Sequence, residues 1–186
     1  MTTEATMGES AHAAPHWLDA EEQRAWRAFI FSSNTLLGNL STALERAPGI
    51  DLTLAEYEIL VRLSEAPDGS LRMSELAEQV VHSRSRLTHT VSRLENRGLV
   101  QRLRCTKDGR GREAVMTEEG RTLLEKAAPV HVQSVRDLIL DVLGRERFLA
   151  LGDLMAELVP EGIALGDPAV VHPATARSEE PAHTED

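Results

Sequence analysis

The stretch HSRSRLTHTVSRLENRGLV, residues 82–100, decides the fold of this chain. Leu87, Val91 and Leu94 recur at helical spacing, so they form a narrow apolar stripe along one side of a helix. Ser83 stands where a helix N-cap belongs, and Gly98 stands where a C′ glycine belongs. The stretch therefore predicts a short helix that packs on a domain by one side only.

The opposite side of this helix is polar and basic. Its middle holds short polar side chains: Ser85, His89, Ser92 and Asn96. Three arginines share one flank: Arg86, Arg93 and Arg97. Residues 82–112 carry a net charge of +7, whereas the whole chain carries −10. A basic block in an acidic protein predicts a polyanionic partner at this face, and the alternative is a solvated basic surface without a partner.

A second helix and a hairpin flank this one. ELAEQV, with Ser74 as its predicted N-cap, precedes it after a short link, and two short helices joined in this way form a helix-turn-helix. LVQRLRC and REAVM then flank the glycine-containing segment TKDGRG, which predicts a β-hairpin, or wing. Upstream, Thr53 and Glu56 have the spacing of a capping box for another helix, and APDGS at 66–70 predicts a turn.

This helix and hairpin suit the grooves of duplex DNA. A recognition helix enters the major groove by its N-terminal end, where short polar side chains and arginine reach base edges and phosphates. The cations at the wing tip can follow the backbone or enter a narrow minor groove, and Asp108 is interpreted as orienting an arginine. The predicted DNA-binding residues are Ser83, Arg84, Ser85, Arg86, Thr88, His89, Arg93, Lys107, Asp108, Arg110 and Arg112.

Apolar stripes in the first helix and in the last two helices indicate a homodimer. A small winged module offers too little surface to cover them, whereas two chains packed together would remove them from water. The alternative is a self-contained helical bundle in a monomer. We therefore expect a mainly α fold with a small β-hairpin wing, that is, a winged helix-turn-helix within a helical dimerisation frame.

The same patterns predict the domain boundaries. The expected order is a disordered tail at 1–15, a winged helix-turn-helix domain at 16–159 and a disordered tail at 160–186. Within the domain we expect dimerisation helices at about 16–47 and 118–159, with a DNA-binding module at about 53–116 between them.

The order of these elements resembles the MarR (multiple antibiotic resistance regulator) family of bacterial transcription factors, over residues 17–159. The resemblance is carried by MSELAEQV, by R-L-E-x-R-G-L-V at 93–100, by the D-x-R of the wing at Asp108 and Arg110, and by T-x-x-G at Thr117 and Gly120. It implies a homodimer that binds a pseudo-palindromic operator and that a small-molecule effector releases from DNA in many members.

Three other features of the sequence could be functional sites, but we favour an incidental or packing role for each of them. Cys105, the only cysteine, lies at the base of the wing between cations, and we favour an incidental small residue over a redox switch. No CxxC pair accompanies the seven histidines, and four of them lie in or at the edge of the predicted tails, so we expect no metal site and no cofactor. Trp17 and Trp26 in the first helix fit dimer packing better than an effector pocket.

The expected function is sequence-specific regulation of transcription, most simply as a repressor. The sequence contains no nucleophile elbow, P-loop or dinucleotide fingerprint, so we predict that the protein is not an enzyme. It shows no secretion signal or apolar membrane span, so we expect it in the cytoplasm. Two alternatives stay open: a non-specific architectural DNA binder, and a winged-helix adaptor that binds an acidic protein.

Overall fold

The computed structural model describes residues 16–80, 84–104, 111–160 and 163. Seven α-helices and three β-strands lie in these ranges, and a π-helical turn at Arg136–Leu140 separates two of the helices. The elements are, in chain order, α1 (Ala20–Arg46), α2 (Leu54–Glu65), β1 (Ser70–Arg72), α3 (Met73–Gln79), α4 (Arg84–Asn96), β2 (Val100–Arg104), β3 (Arg112–Met116), α5 (Glu118–Val135), α6 (Asp141–Leu143) and α7 (Arg145–Ala156). None of the helices in these ranges is long and apolar enough to cross a membrane.

Helix α1 begins at Ala20, three residues after the start that its apolar pattern predicts. The carboxylate of Asp19 accepts hydrogen bonds from the N–H groups of Glu21 (2.7 Å) and Glu22 (2.9 Å), and the Glu22 carboxylate accepts one from the N–H of Asp19 (2.8 Å). This reciprocal cap satisfies the first N–H groups of the helix, so Trp17 lies before it.

The chain divides into two compact units within α1, after Thr35. The second unit, from Leu36 onward, contains the winged module and its hydrophobic core. Its fully buried large apolar side chains come from the end of α1, the loop before α2, and α2, α3, α4 and β2: Leu44, Leu52, Ile59, Leu60, Leu63, Leu76, Leu87, Val91, Leu94 and Val100. Helices α2, α3 and α4 and the sheet therefore share one core, which confirms the predicted winged helix-turn-helix.

The sheet has one strand more than the predicted hairpin. The strands are antiparallel in the order β1-β3-β2, with Val115 of β3 facing Ser70 of β1 on one side and Gln101 of β2 on the other. The APDGS turn is present as a 3-10 turn at Pro67–Gly69, but the chain then enters β1 at Ser70. A strand of three residues is too short to show alternation, so the hairpin was predictable and its third strand was not.

Local signals set most helix ends. Thr53 caps α2 in the predicted capping box with Glu56, and Gly98 has the positive φ of 72° expected after α4. The prediction that Ser74 caps α3 is wrong, because Arg72 occupies the N-cap position and the Glu75 carboxylate accepts a hydrogen bond from its N–H at 3.1 Å. Strand β1 ends at Arg72, so its pairing with β3 decides where α3 begins.

The last predicted helices are also present, with different bounds. Helix α5 ends at Val135, and the π-helical turn and α6 carry the chain on to Leu143. Gly144, at a φ of 76°, then separates α7, which ends at Ala156. The predicted tail at 1–15 lies outside the described residues, and so does the predicted tail at 160–186 apart from Pro160 and Ile163.

Candidate nucleic-acid interface

Helix α4 is anchored by its apolar stripe. Leu87, Val91 and Leu94 are essentially inaccessible to solvent, as the sequence predicts, and they belong to the core shared with α2 and β2. Burial of these side chains leaves the opposite side of α4 facing solvent. The predicted recognition surface is therefore displayed by a helix whose back is packed into the domain.

The N-terminal half of α4 carries the predicted base-reading residues on its exposed side: Ser85, Arg86, Thr88 and His89. Ser85, Arg86 and His89 line a groove of about 350 Å³ together with Ala55 at the start of α2. Arg84 is the first residue of α4, with its backbone described and its side chain not described, and Ser83 lies outside the described residues.

Two hydroxyls on α4 are turned onto their own helix. Thr90 Oγ1 donates to the carbonyl oxygen of Arg86 at 3.0 Å, and Ser92 Oγ donates to that of Thr88 at 2.8 Å. Ser92 is one of the short polar side chains that the sequence predicts in the middle of the exposed side of α4. Its hydroxyl proton is already used by the backbone, so Ser92 is a poorer donor to a base than its position on the wheel suggests.

The wing is held to α4 by an ion pair. Arg102 on β2 donates from Nε and from Nη2 to the same carboxylate oxygen of Glu95 on α4, with a distance of 2.9 Å for Nε. The hydrogen bond from Arg102 lowers the pKa of Glu95, and the positive charges of Arg102 and Arg112 lower it further. One acidic residue of the basic block thus joins α4 to the wing.

The base of the wing is basic on both strands. Arg104 of β2 and Arg112 of β3 are register partners, and both side chains are exposed. Their like charges oppose each other across the pair, and an anion lying over the wing would relieve that repulsion. Lys107, Asp108 and Arg110, together with Cys105, lie outside the described residues.

The burial of the Glu56 carboxylate and its contacts with two arginines could not be predicted from the sequence. The carboxylate lies 3.3 Å from Nη2 of Arg93 and 3.7 Å from Nη1 of Arg97, with the Glu56 side chain fully buried. Arg93 is therefore already paired, and Arg97 also donates to the carbonyl oxygen of Ile50 at 3.5 Å. The i, i+4 spacing of the two arginines was visible in the sequence, but nothing there placed a carboxylate opposite them.

The first unit, described by itself, displays apolar side chains along α1. The exposed fraction is 55% for Trp26 and 75% for Phe31, and Trp26 packs beside Phe29 with ring centroids 5.9 Å apart. Trp17, before the helix, is 81% exposed. Exposed aromatic side chains at this density mark an interaction surface.

Comparisons with known proteins agree with this geometry. The sequence model of the MarR family matches residues 52–111. The HTH-type transcriptional regulator FarR of Neisseria gonorrhoeae is 39% identical over 108 residues, which are 58% of this chain and 72% of FarR. The transcriptional regulator HosA of Escherichia coli O157:H7 is 32% identical over 80 residues, which are 43% of this chain and 58% of HosA.

Solved structures extend the similarity over most of the chain. Sco3205, a MarR family transcriptional regulator of Streptomyces coelicolor solved in complex with DNA, is 39% identical, with a TM-score of 0.74 over 82% of this chain and 97% of its own. AbsC, a MarR family regulator from the same organism, is 40% identical, with a TM-score of 0.71 over 77% of this chain and 95% of its own. Matched sequence, matched fold and the wing motifs converge on one conclusion: this protein belongs to the MarR family of transcriptional regulators and is not an enzyme.

Proposed function

We propose that this protein is a homodimeric repressor that binds a pseudo-palindromic DNA operator through α4 and the wing. The observation that carries the proposal is the exposed polar and basic side of α4, with Ser85, Arg86 and His89 opposite the buried Leu87 and Val91. The DNA complex of the similar protein Sco3205 supports the same use of this fold.

The proposal gives the N-terminal half of α4 the sequence-reading role. Short side chains let a helix sit deep in the major groove, and arginine can donate two hydrogen bonds to the O6 and N7 atoms of guanine. We assign this role to Ser83, Arg84, Ser85, Arg86, Thr88 and His89. The positive end of the α4 helix dipole also lies at this first turn and favours a phosphate there.

The wing contributes affinity more than specificity in this proposal. Lys107, Arg110 and Arg112 would contact the DNA backbone or enter the minor groove, and Asp108 would orient an arginine. Arg112 is exposed at the start of β3, and Arg102 holds the other strand of the wing to α4. The wing and the recognition helix would thus act on adjoining grooves of one half-site.

The dimer is the part of the proposal that gives the operator its symmetry. We assign the dimerisation frame to 16–47 and 118–159 and the DNA-binding module to 53–116. Exposed apolar residues in both frame segments support it, among them Trp26, Phe31, Val142 and Leu154. Two recognition helices in one dimer must lie about 34 Å apart to meet successive turns of DNA.

Repression would be steric, with the bound dimer blocking polymerase at its operator in the cytoplasm. Release by a small molecule follows from the family resemblance alone. Such an effector acts only if it binds the conformation that does not fit two half-sites better than the one that does. The difference between its two affinities then sets how far the population moves.

The test is selection of bound sites from random DNA, followed by footprinting on the DNA upstream of the protein's own gene. A repressor dimer gives a palindromic site, a footprint and a sedimentation mass of two chains. A non-specific architectural binder gives no site preference, and a protein-interaction adaptor gives no tight binding at low salt. Six to ten phosphate contacts would lower affinity about 10³- to 10⁵-fold between about 50 and 200 mM salt, and a flat response would contradict the proposal.

A further inference from the structure

Glu56 is the one fully buried charged side chain among the described residues. A carboxylate out of contact with water is costly unless cations and hydrogen-bond donors surround it. The buried position therefore needs an explanation, and the cap that Glu56 forms on α2 does not supply one. Glu75 performs the same capping task for α3 from an exposed position.

The two oxygens of the Glu56 carboxylate have separate partners. Oε2 accepts hydrogen bonds from the N–H of Thr53 (2.9 Å) and from its hydroxyl (3.0 Å), and this completes the cap. Oε1 accepts no hydrogen bond from the described residues, and its charged neighbour is the Arg93 guanidinium at 3.3 Å. The oxygen that capping leaves over is thus the one that faces α4.

The arginines that meet Glu56 come from the C-terminal part of α4. Arg93 lies in the last turn of the helix and Arg97 follows its end. The residues assigned to base reading lie in the first turns, because a recognition helix enters the groove by its N-terminal end. Arg93 is therefore placed to hold the rear of the helix, whereas Arg86 is placed to meet DNA.

The start of α2 is also held from the side of α1. Ser41 Oγ accepts a hydrogen bond from the N–H of Leu54 at 3.2 Å and donates to the Glu45 carboxylate at 2.6 Å. One turn of α2 is thus joined to α1 through Ser41 and to α4 through Glu56. A displacement of α1 or α4 would therefore disturb the contacts of this first turn of α2.

We propose that Glu56 is a positioning residue for DNA binding. Its buried carboxylate holds Arg93 and Arg97, sets the placement of α4 on α2, and makes Arg93 act through this contact instead of by touching DNA. The inference rests on the proposed function, in which α4 reads the operator. Binding sites of this kind require their supporting side chains to be held within about 0.5 Å.

Energetics favour retention of the Glu56–Arg93 pair when DNA binds. A phosphate could attract Arg93, whose side chain is 51% exposed, but transfer of the guanidinium would leave the fully buried carboxylate with Arg97 alone. An exposed phosphate contact is screened by salt, whereas an uncompensated buried charge is not. The pair therefore persists in the complex, and its contribution to affinity is structural.

The experiment is a double-mutant cycle on operator affinity with the full chain: Glu56→Gln, Arg93→Gln and the double variant. Each single change should weaken binding about tenfold or more, and the double variant should be little worse than either, leaving a coupling of about tenfold. Glu65→Gln is the matched control, because Glu65 pairs with Arg62 within α2 and should leave affinity unchanged.

The salt dependence separates positioning from direct contact. If Arg93 touches no phosphate, Arg93→Gln lowers affinity at every salt concentration and keeps the slope of log Kd against log salt. A slope reduced by about 1, with Glu56→Gln at wild-type affinity, would identify a phosphate contact and overturn the proposal. Additive effects of the two changes would overturn it as well.

The Arg93 variants still test the proposal if Glu56→Gln folds poorly. Arg93→Gln keeps Arg97 beside the carboxylate, so it tests the slope alone, and Arg93→Lys should recover part of the affinity because it restores a cation. Affinities are measured well below each melting temperature, with the active fraction counted by stoichiometric titration. If the wild-type protein itself ignores DNA at low salt, the proposed function has failed, which is a different outcome from wild-type binding with unaffected variants.

Discussion

The hydroxyl of Thr117 donates a hydrogen bond of 2.7 Å to the carbonyl oxygen of Gly98. The same oxygen atom of Thr117 accepts from the N–H of Gly120 at 3.0 Å, which caps α5. Gly98 ends α4, so one side chain joins the end of the recognition helix to the start of the helix assigned to the dimer frame. The T-x-x-G motif of the sequence thus joins α4 to α5.

Gly120 allows this joint to close, so Gly120→Ala should destabilise the protein. A Cβ atom at this position would lie 2.2 Å from the backbone carbonyl oxygen of Leu99, an approach that no flexible side chain can relieve. We expect a loss of about 3 kcal/mol in the free energy of unfolding, measured by urea denaturation. Gly38→Ala in α1 is the matched control, because its Cβ would meet nothing within 4 Å and should stabilise by about 1 kcal/mol.

Thr117→Val should cost about 1 to 2 kcal/mol, since it removes the N-cap of α5 and leaves the Gly98 carbonyl oxygen without its donor. The shape of the side chain is preserved, so packing changes contribute little. Thr117→Ser retains the hydroxyl and should behave nearly as the wild type in thermal melts. A loss in the serine variant, with the valine variant at wild-type stability, would show that the methyl group, and not the hydroxyl, stabilises the joint.

Arg86→Ala should relax specificity at one position of the operator. Arg86 lies on the exposed side of α4 beside the groove at the start of α2, and a bidentate contact with guanine provides about 1–3 kcal/mol of discrimination. Binding to a panel of operators with single-base changes measures this directly. A uniform loss of affinity over the whole panel would reassign Arg86 to the phosphate backbone.

Arg110→Ala should weaken DNA binding and leave the dimer intact. Arg110 lies outside the described residues, and the sequence places it at the wing tip. Loss of one phosphate contact should reduce the magnitude of the salt slope by about 1 with no change in sedimentation mass. Lys126→Ala removes an equal charge outside the basic block 82–112 and should leave the slope unchanged. Dissociation into monomers would give the wing a different role.

His131 should make the protein less stable in mild acid. Its ring stacks on Tyr57 with centroids 4.5 Å apart, its Nδ1 has no hydrogen-bond partner among the described residues, and burial lowers its pKa below 6.5. Burial, followed by the charge of Glu65, raises the pKa of Tyr57 to about 12, so Tyr57 stays neutral throughout this range. Between the lowered pKa of His131 and 6.5, the unfolded chain binds more protons than the folded one.

This contribution of His131 is complete above pH 6.5 and is lost as the pH falls toward its folded-state pKa. His131→Phe keeps an aromatic ring over Tyr57 but cannot take up a proton. The drop in melting temperature from about pH 7.5 to about pH 5.5 should therefore be smaller in the variant than in the wild type. An identical drop in both proteins would assign the acid sensitivity to other groups.

The features that could be predicted from the sequence are those that depend on local interactions. The capping box of Thr53 and Glu56, the cap at Thr117 and the C′ glycine at Gly98 each depend on residues within four positions, so a single pass along the chain finds them. The apolar stripe of α4 follows from the helical repeat in the same way. These signals predicted the winged helix-turn-helix and the exposed side of α4, although no local rule tests which exposed residues contact DNA.

Features that depend on contacts between residues distant in the chain were determined only by the tertiary structure. The pairing of Ser70 with Val115 creates β1 and moves the start of α3 to Met73. The ion pair between Glu56 and Arg93 connects the cap of α2 to α4. The amino-acid sequence by itself determined the helices, the wing and the basic surface, because each arises from short-range periodicity or composition. Packing decided the third strand and the buried charge pair, because both exist only when separate elements are brought within hydrogen-bond distance.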